Sequence, residues 1–332
     1  MKIVIATPFY PPQAGVLGMY AAGLDTAWKK AGNEVIMLTY QSRLPPILRH
    51  VVFYLRVRKA ARGAAFVLAL DSWSVGLPAV SAARAVGVPC LVRIGGDFLW
   101  ETYVERTKEQ ITLSEFYEKQ RRLSVKERVI RAGIRYIATH AQIFFTTKFQ
   151  RALWIRAYDV PADTPIIENH YPPIVGTYLP ASGIIFVSAG RNIALKNTQL
   201  LQHVLARLAD AHPGVELDTR YLQGEAYGQR LANAYAVVIS SLSEVCSNTA
   251  IDAVALGKPF ICPKDTGTSE RLGECGLFVD TRSEAALTEA VESLLNPVVY
   301  EKLAKAARAF SFTHSWDEMA SEIIRSVPST RV

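Results

Sequence analysis

Short apolar runs alternate with stretches of helical period along nearly the whole chain. Lys2–Thr7 (KIVIAT) is an apolar run of the length a buried parallel strand needs. Residues 8–18 predict a loop holding Pro11, Pro12, Gly15 and Gly18. A helical pattern follows to about Ala31, where Gly32 stops it ahead of a strand over Glu34–Thr39. The order recurs as a strand at 65–70, a helix at 77–86 and strands at 89–93 and 143–146. Residues 169–182 (NHYPPIVGTYLPAS) are dense in proline and turn formers. Beyond them the scheme restarts with a strand at 183–187, a loop at 189–192 and a helix at 197–211. Strands at 215–219, 236–239 and 259–262 follow.

Strands that alternate with helices predict α/β architecture with doubly wound parallel sheets. In 332 residues, two such sets predict two Rossmann-like domains facing a central cleft. The first is expected over 1–172, the linker over 173–182 and the second domain over 183–312. A C-terminal helix in 313–332 is expected to pack back toward the first domain. Ligands in such sheets bind outside the carboxyl ends of the strands.

Composition narrows the class. With 50% hydrophobic and 20% charged residues the chain is not a disordered one. The longest apolar stretch, 63–80, is interrupted by Asp71, Ser72, Gly76 and Pro78, so it does not predict a membrane span. The opening MKIVIATPFYPP turns polar too early for a secretory signal. Cys90, Cys246, Cys262 and Cys275 form no CxxC pair, which leaves zinc and a disulfide framework without support. A cytoplasmic, thiol-reduced protein is the expectation. Charge is unevenly shared: residues 1–180 carry 23 Lys and Arg against 13 Asp and Glu, a net +10, and residues 181–332 carry 14 against 17, a net −3. An anionic partner for the first half follows, either nucleic acid or an anionic membrane surface. No nucleic-acid recognition module is present, so a nucleic-acid partner is not expected.

Four segments could carry chemistry. In SAGRNIALKN, Arg191 and Lys196 flank a strand-to-helix turn and can reach one anionic group there; two solvated cations are the alternative. In SSLSEVCSNTAIDAVALGKP, Glu244 follows a strand, Ser247, Asn248 and Thr249 are all good N-caps, and Asp252 is expected in the first helical turn. Asp252 suits vicinal ribose hydroxyls or a plain helix-dipole role. In LVRIGGDFLWE, Asp97 follows Gly95 and Gly96 as a cleft acid or an N-cap. The fourth is basic: Arg121, Arg128 and Arg135 recur every seven residues beside Arg131, and Arg49, Arg56, Arg58, Lys59 and Arg62 interleave with Phe53 and Tyr54. Both sets suit an acceptor or membrane side, or a solvated helix face.

Taken in order, Gly15 after the Pro-Pro pair, Arg191-x4-Lys196 and Glu244-x7-Asp252 followed by Ala-x-x-x-Gly-Lys-Pro resemble the retaining GT-B glycosyltransferases of family 4. The resemblance implies that Arg191 and Lys196 bind the donor diphosphate, Glu244 lies by the donor sugar and Asp252 binds the ribose. Gly15, Ser247, Asn248 and Thr249 complete the donor site, and Asp97 joins Arg191, Lys196 and Glu244 in catalysis. It further implies a UDP- or GDP-sugar as co-substrate, no cofactor, no required metal, and a glycan or lipid-linked acceptor. Cell-surface glycan or glycolipid synthesis at the inner face of the plasma membrane is the corresponding setting. Two departures stand out: Asp252 replaces the family's usual Glu, and Val16 follows Gly15 where Gly-Gly is common. A nucleotide-sugar epimerase of the same architecture and a non-catalytic sugar- or nucleotide-binding protein are the alternatives.

Overall fold

The computed structural model describes residues 1–11, 15–40, 44–119, 121–174, 178, 181, 183–191 and 193–328. Much of the expected linker lies outside the described residues, as do Pro12 and Asn192. The chain forms two compact units. Unit 1 comprises Met1–Leu99, Arg122–His170 and His314–Val332; unit 2 comprises Trp100–Arg121 and Tyr171–Thr313.

In chain order the first half contains β1 (Lys2–Thr7), α1 (Val16–Lys30), β2 (Glu34–Thr39), α2 (Pro46–Ala61), β3 (Phe66–Ala69) and α3 (Gly76–Arg84). There follow β4 (Cys90–Ile94), α4 (Phe98–Thr107), α5 (Leu113–Glu118), α6 (Val125–His140), β5 (Gln142–Phe145) and α7 (Lys148–Tyr158). The second half continues with β6 (Ile184–Val187), α8 (Thr198–Ala211), β7 (Val215–Asp218), α9 (Gly224–Asn233), β8 (Ala236–Val238) and α10 (Asn248–Ala255). It ends with β9 (Phe260–Pro263), α11 (Ser269–Leu272), β10 (Gly276–Val279), α12 (Glu284–Leu295), α13 (Pro297–Ala309) and α14 (Trp316–Arg325).

Both units are Rossmann-like, and their sheets share one order. Unit 1 reads β2-β1-β3-β4-β5 and unit 2 reads β7-β6-β8-β9-β10, with every pair parallel. In each sheet the winding reverses beside the first strand, between β1 and β3 and between β6 and β8. Such switch points open a crevice at the strands' carboxyl ends. The interior strands β3, β4, β8 and β9 are buried on both faces, which is why they read as unbroken apolar runs.

In unit 1, α2 and α6 pack on either side of α3 and form one helix layer. On the opposite side of the core, α14 packs on α1: Trp28 Nε1 donates to Ala320 O at 3.1 Å, and Met319 and Ile323 join Leu24 and Trp28 in the core. The last helix thus belongs to unit 1.

Two expectations need correction. An unbroken first domain over 1–172 does not hold, because Trp100–Arg121 belongs to unit 2. The reason is local: Leu113 N donates to Ser243 Oγ at 2.8 Å, Ser114 N to Asp265 Oδ2 at 3.2 Å, and Arg282 pairs with Glu115 at 2.7 Å. The seven-residue arginine series is also not one helix face. Arg128, Arg131 and Arg135 are exposed on α6, but Arg121 precedes it, lies in unit 2 and pairs with Glu109 Oε1 at 2.8 Å.

Candidate functional site

The polar groups of unit 2 gather at its switch point. After β6 the chain makes a tight turn over Ala194–Lys196, and Asn197 closes it in a left-handed conformation with φ 46°, a geometry Asn tolerates. Asn197 is tied down by its own side chain, whose Nδ2 donates to Thr281 O at 2.8 Å. From the neighbouring β8 edge, Ser240 Oγ donates to Lys196 O at 2.7 Å and Leu242 N to Leu195 O at 2.9 Å. The loops after β6 and β8 are therefore stitched together by one backbone bond and one serine hydroxyl.

That stitching aims one side-chain cluster. Lys196 Nζ donates to Glu244 Oε1 at 2.6 Å and to Ser241 Oγ at 3.2 Å, while Ser241 Oγ donates to the same Glu244 oxygen at 2.6 Å. Thr281 Oγ1 fixes Ser241 through its carbonyl at 2.6 Å. Glu244 itself is held by backbone bonds, N–H to Asp265 O at 3.2 Å and C=O from Gly267 N at 3.2 Å. Lys196 and Glu244 retain 24% and 16% of their side-chain exposure, so the cluster is sheltered yet reachable. Chemically it offers a cation, a hydroxyl and a carboxylate on one crevice wall. Arg191 is exposed in the same β6–α8 loop and makes no side-chain hydrogen bond or ion pair among the described residues.

Three residues beyond Glu244, Ser247 caps α10 by accepting from Ala250 N at 3.3 Å. Asn248 and Thr249 are therefore the first two helical residues, and Asp252 stands in the second turn rather than the first as the sequence suggested. With three residues in a row able to cap, the sequence could not fix the register. The shift removes Asp252 from the helix end, where a dipole role would have acted. Instead Tyr227 from α9 donates its hydroxyl to Asp252 Oδ2 at 2.9 Å and also bonds Thr249. Burial pushes the Asp252 carboxyl up to about 6, against the pull of the Tyr227 hydrogen bond. On the same helix, buried Arg230 donates to Ser188 O at 3.2 Å, pinning α9 to the end of β6.

A cavity of about 450 Å³ adjoins the Ala194 turn, lined by Glu105, Glu109, Gln110, Ile193, Asn197 and Leu242 among others. Glu105 Oε1 accepts from Leu195 N at 3.4 Å, so residues 100–121 form one wall of it.

In unit 1, Gly15 precedes α1 with φ 142°, a value that favours glycine, and its carbonyl accepts from Gly18 N at 3.0 Å. Asp97 is buried just ahead of α4. The most elaborate polar contact there is one the sequence did not flag. Arg93 is buried, donates to Asn169 Oδ1 at 2.7 Å and stacks 4.1 Å over the Tyr20 ring. His170 donates its backbone N–H to Tyr20 Oη at 3.1 Å and stacks on Trp316 at 4.3 Å.

Of the expected site residues, the structure brings Lys196 and Glu244 into contact and sets Thr249 and Asp252 around Tyr227. Ser241, Thr281 and Tyr227 were missed; only the serine-rich run SSLS after a strand hinted at the first.

Comparison with known proteins adds a partial family match and likenesses of fold. Residues 180–297 match a family model described as "Glycosyl transferases group 1". That span contains Lys196, Ser241, Glu244 and Asp252. No curated protein matches the chain in sequence. Among solved structures, sucrose-phosphate synthase from Thermosynechococcus elongatus aligns over 98% of this chain and 97% of its own, with TM-score 0.72 and 16% identity. Anabaena HepE in complex with UDP and glucose aligns over 98% and 99%, with TM-score 0.71 and 13% identity. S. aureus MnaA with UDP aligns over 97% and 94%, with TM-score 0.63 and 11% identity. These likenesses are likenesses of fold.

Proposed function

We propose that the chain is a glycosyltransferase that moves a sugar from a nucleoside-diphosphate donor to an acceptor hydroxyl with retention. The observation that carries this reading is the Lys196–Ser241–Glu244 cluster at the switch point of the unit matched by the group 1 glycosyltransferase model. Occupation of the Anabaena neighbour by UDP and glucose supports a UDP-sugar as donor.

The geometry suggests how the chemistry would run. A diphosphate entering the crevice competes with Glu244 for Lys196, and Arg191, exposed and unpaired, is available to grip it through a second, forked contact. Glu244, released from its cation, can then accept hydrogen bonds from sugar hydroxyls. Asp252, held by Tyr227, has its other carboxylate oxygen for a ribose hydroxyl. As the bond from the anomeric carbon to the diphosphate oxygen breaks, the acceptor oxygen bonds to the same face. The acceptor proton passes to the departing phosphate, so no protein nucleophile is used. Lys196 and Arg191 oppose the charge growing on the leaving group, and removing one such donor typically costs about 3 kcal/mol of barrier. We infer that these cations make a metal unnecessary.

Unit 1 then serves the acceptor, a glycan or lipid-linked hydroxyl in cell-surface glycan or glycolipid synthesis. The test is turnover of a panel of UDP- and GDP-sugars with and without extracted glycolipid acceptors. Acceptor-dependent release of nucleoside diphosphate is expected. Conversion of the sugar without any acceptor would replace transfer by epimerisation, and no turnover of any donor would overturn both.

A further inference from the structure

Helix α2 carries an exposed face that its own unit does not use. Its inward side is complete: Phe53, Val57 and Ala61 are fully buried, Arg56 donates to Thr39 O at 2.8 Å and Arg49 lies over the Tyr40 ring. Phe53 is therefore core, not part of any docking surface as its place among cations had suggested. The outward side is aliphatic. Ile47 is 83% exposed, and Leu48, Val51 and Leu55 are each about half exposed. Continuing along the same stripe come Arg58, Lys59 and Arg62, all exposed. At about 100° per residue the six positions within α2 fall within roughly a third of its circumference, and Arg62 is the C-cap that follows them. One helix face thus runs from apolar to cationic.

We infer that this face of α2 docks on an anionic lipid surface, the four aliphatic side chains entering the headgroup boundary and the three cations meeting phosphates. Isolated exposed aliphatics need no explanation, but four on one stripe do. The charge chooses the occupant. No acidic residue occurs between Glu34 and Asp71, so nothing in this segment neutralises the cations. A second copy of the same face would bring only more cations. The same helix layer repeats the pattern: α6 exposes Val125 and Val129 with Lys126, Arg128, Arg131 and Arg135. Its one acid, Glu127, is fully buried and spent on the Ser124 backbone N–H at 2.7 Å. Apolar residues backed by several cations give reversible binding, each cation contributing about fivefold in partition. No helix among the described residues is long and apolar enough to cross a membrane. The inference goes beyond sugar transfer and does not depend on it.

The experiment is co-sedimentation of the full chain with vesicles of pure phosphatidylcholine and with vesicles one-third phosphatidylglycerol. Wild type should bind the second and ignore the first, and lose binding as salt rises. The pair Val51→Glu and Leu55→Glu, and separately the set Arg58→Gln, Lys59→Gln and Arg62→Gln, should each lose at least tenfold. All five sites are exposed, so the fold should persist; Ile47→Ser with Leu48→Ser gives an independent check, with the circular dichroism spectrum and melting temperature as the readout that the chain is intact. Failure of wild type to bind phosphatidylglycerol, including a case where it binds an acidic protein instead, overturns the inference. So does wild-type binding by either set of variants. Loss of vesicle binding with the melting temperature unchanged supports it, whatever the outcome for catalysis.

Discussion

Lys196 Nζ stands 2.6 Å from Glu244 Oε1, and Ser241 Oγ donates to that same oxygen at 2.6 Å. The cation proposed to receive a diphosphate is thus already occupied by a carboxylate of the same crevice. This contact resolves a difficulty: an unpaired sheltered lysine would be costly in the empty site, and an unpaired sheltered glutamate equally so. Each neutralises the other; in the proposed reaction a donor would supply an anion for one and hydroxyls for the other.

The pairing separates binding from catalysis. Lys196→Ala should lower the single-turnover rate by about 2–4 kcal/mol of transition-state stabilisation, as should Arg191→Ala. Glu244→Gln should behave in the opposite way toward UDP alone. Freed of its competitor, Lys196 should bind UDP more tightly, by up to about fivefold, the scale of a partly exposed ion pair. Calorimetric titration with UDP tests this, and weaker UDP binding by Glu244→Gln would show that the carboxylate helps to hold the nucleotide.

Arg282 ties residues 100–121 to the body of unit 2. Its guanidinium grips Asp280 at 2.9 Å and Glu115 at 2.7 Å, and the grip holds the Asp280 carboxyl well below the usual range. Arg282→Ala should loosen the segment while sparing the sheet. Amide exchange across 109–118 should accelerate about tenfold or more, with β6 and β8 unchanged. Global stability should fall by only about 1 kcal/mol, because these groups remain partly solvated.

The paired strand–helix rhythm was legible because interior parallel strands are buried on both faces and so read as bare apolar runs. Lys2–Thr7 and Glu34–Thr39 could be bounded to the residue. Glu244 and Lys196 were legible as candidates because each follows a strand end, where switch-point ligands bind. Segment 100–121 was not, since nothing local distinguishes a crossing segment: its allegiance is set by Ser243, Asp265 and Arg282, more than a hundred residues away. The face of α2 was equally hidden. Apolar residues surround that helix on both sides, and only packing decides that Phe53 and Val57 turn inward while Val51 and Leu55 do not.

Gly23 gives a prediction whose sign runs against helix propensity. Ala in place of Gly inside an exposed helix usually stabilises by about 0.5–1 kcal/mol. In α1, however, a Cβ on Gly23 would run into the Trp316 ring. That ring cannot retreat easily, being stacked on His170 and set edge-on to Tyr20 at 5.1 Å. Gly23→Ala should therefore destabilise by about 1–3 kcal/mol, in the range of core overpacking. A melting temperature at or above wild type would mean that α14 repacks without cost.

Asp252 offers a test in which stability and binding move in opposite directions. Burial raises its carboxyl to about 6 in the native state, whereas an unfolded aspartate titrates near 4. Between these values the native state holds the proton more firmly than the unfolded chain. The associated stability is therefore present below pH 4 and is lost as pH rises through 6. At pH 7 the ionised carboxylate costs up to about 3 kcal/mol. Asp252→Asn cannot ionise, and its amide oxygen can still accept from Tyr227. Urea unfolding from pH 4 to 7.5 should show the two proteins nearly equal at the acid end, with the variant the more stable above pH 6. The same variant should bind UDP more weakly, and should lose far less affinity for 2′-deoxy-UDP, in which the hydroxyl it would contact is missing. If stability rises as expected but both ligands weaken equally or not at all, Asp252 is a buried acid serving Tyr227 and Thr249, and the ribose contact belongs to another group.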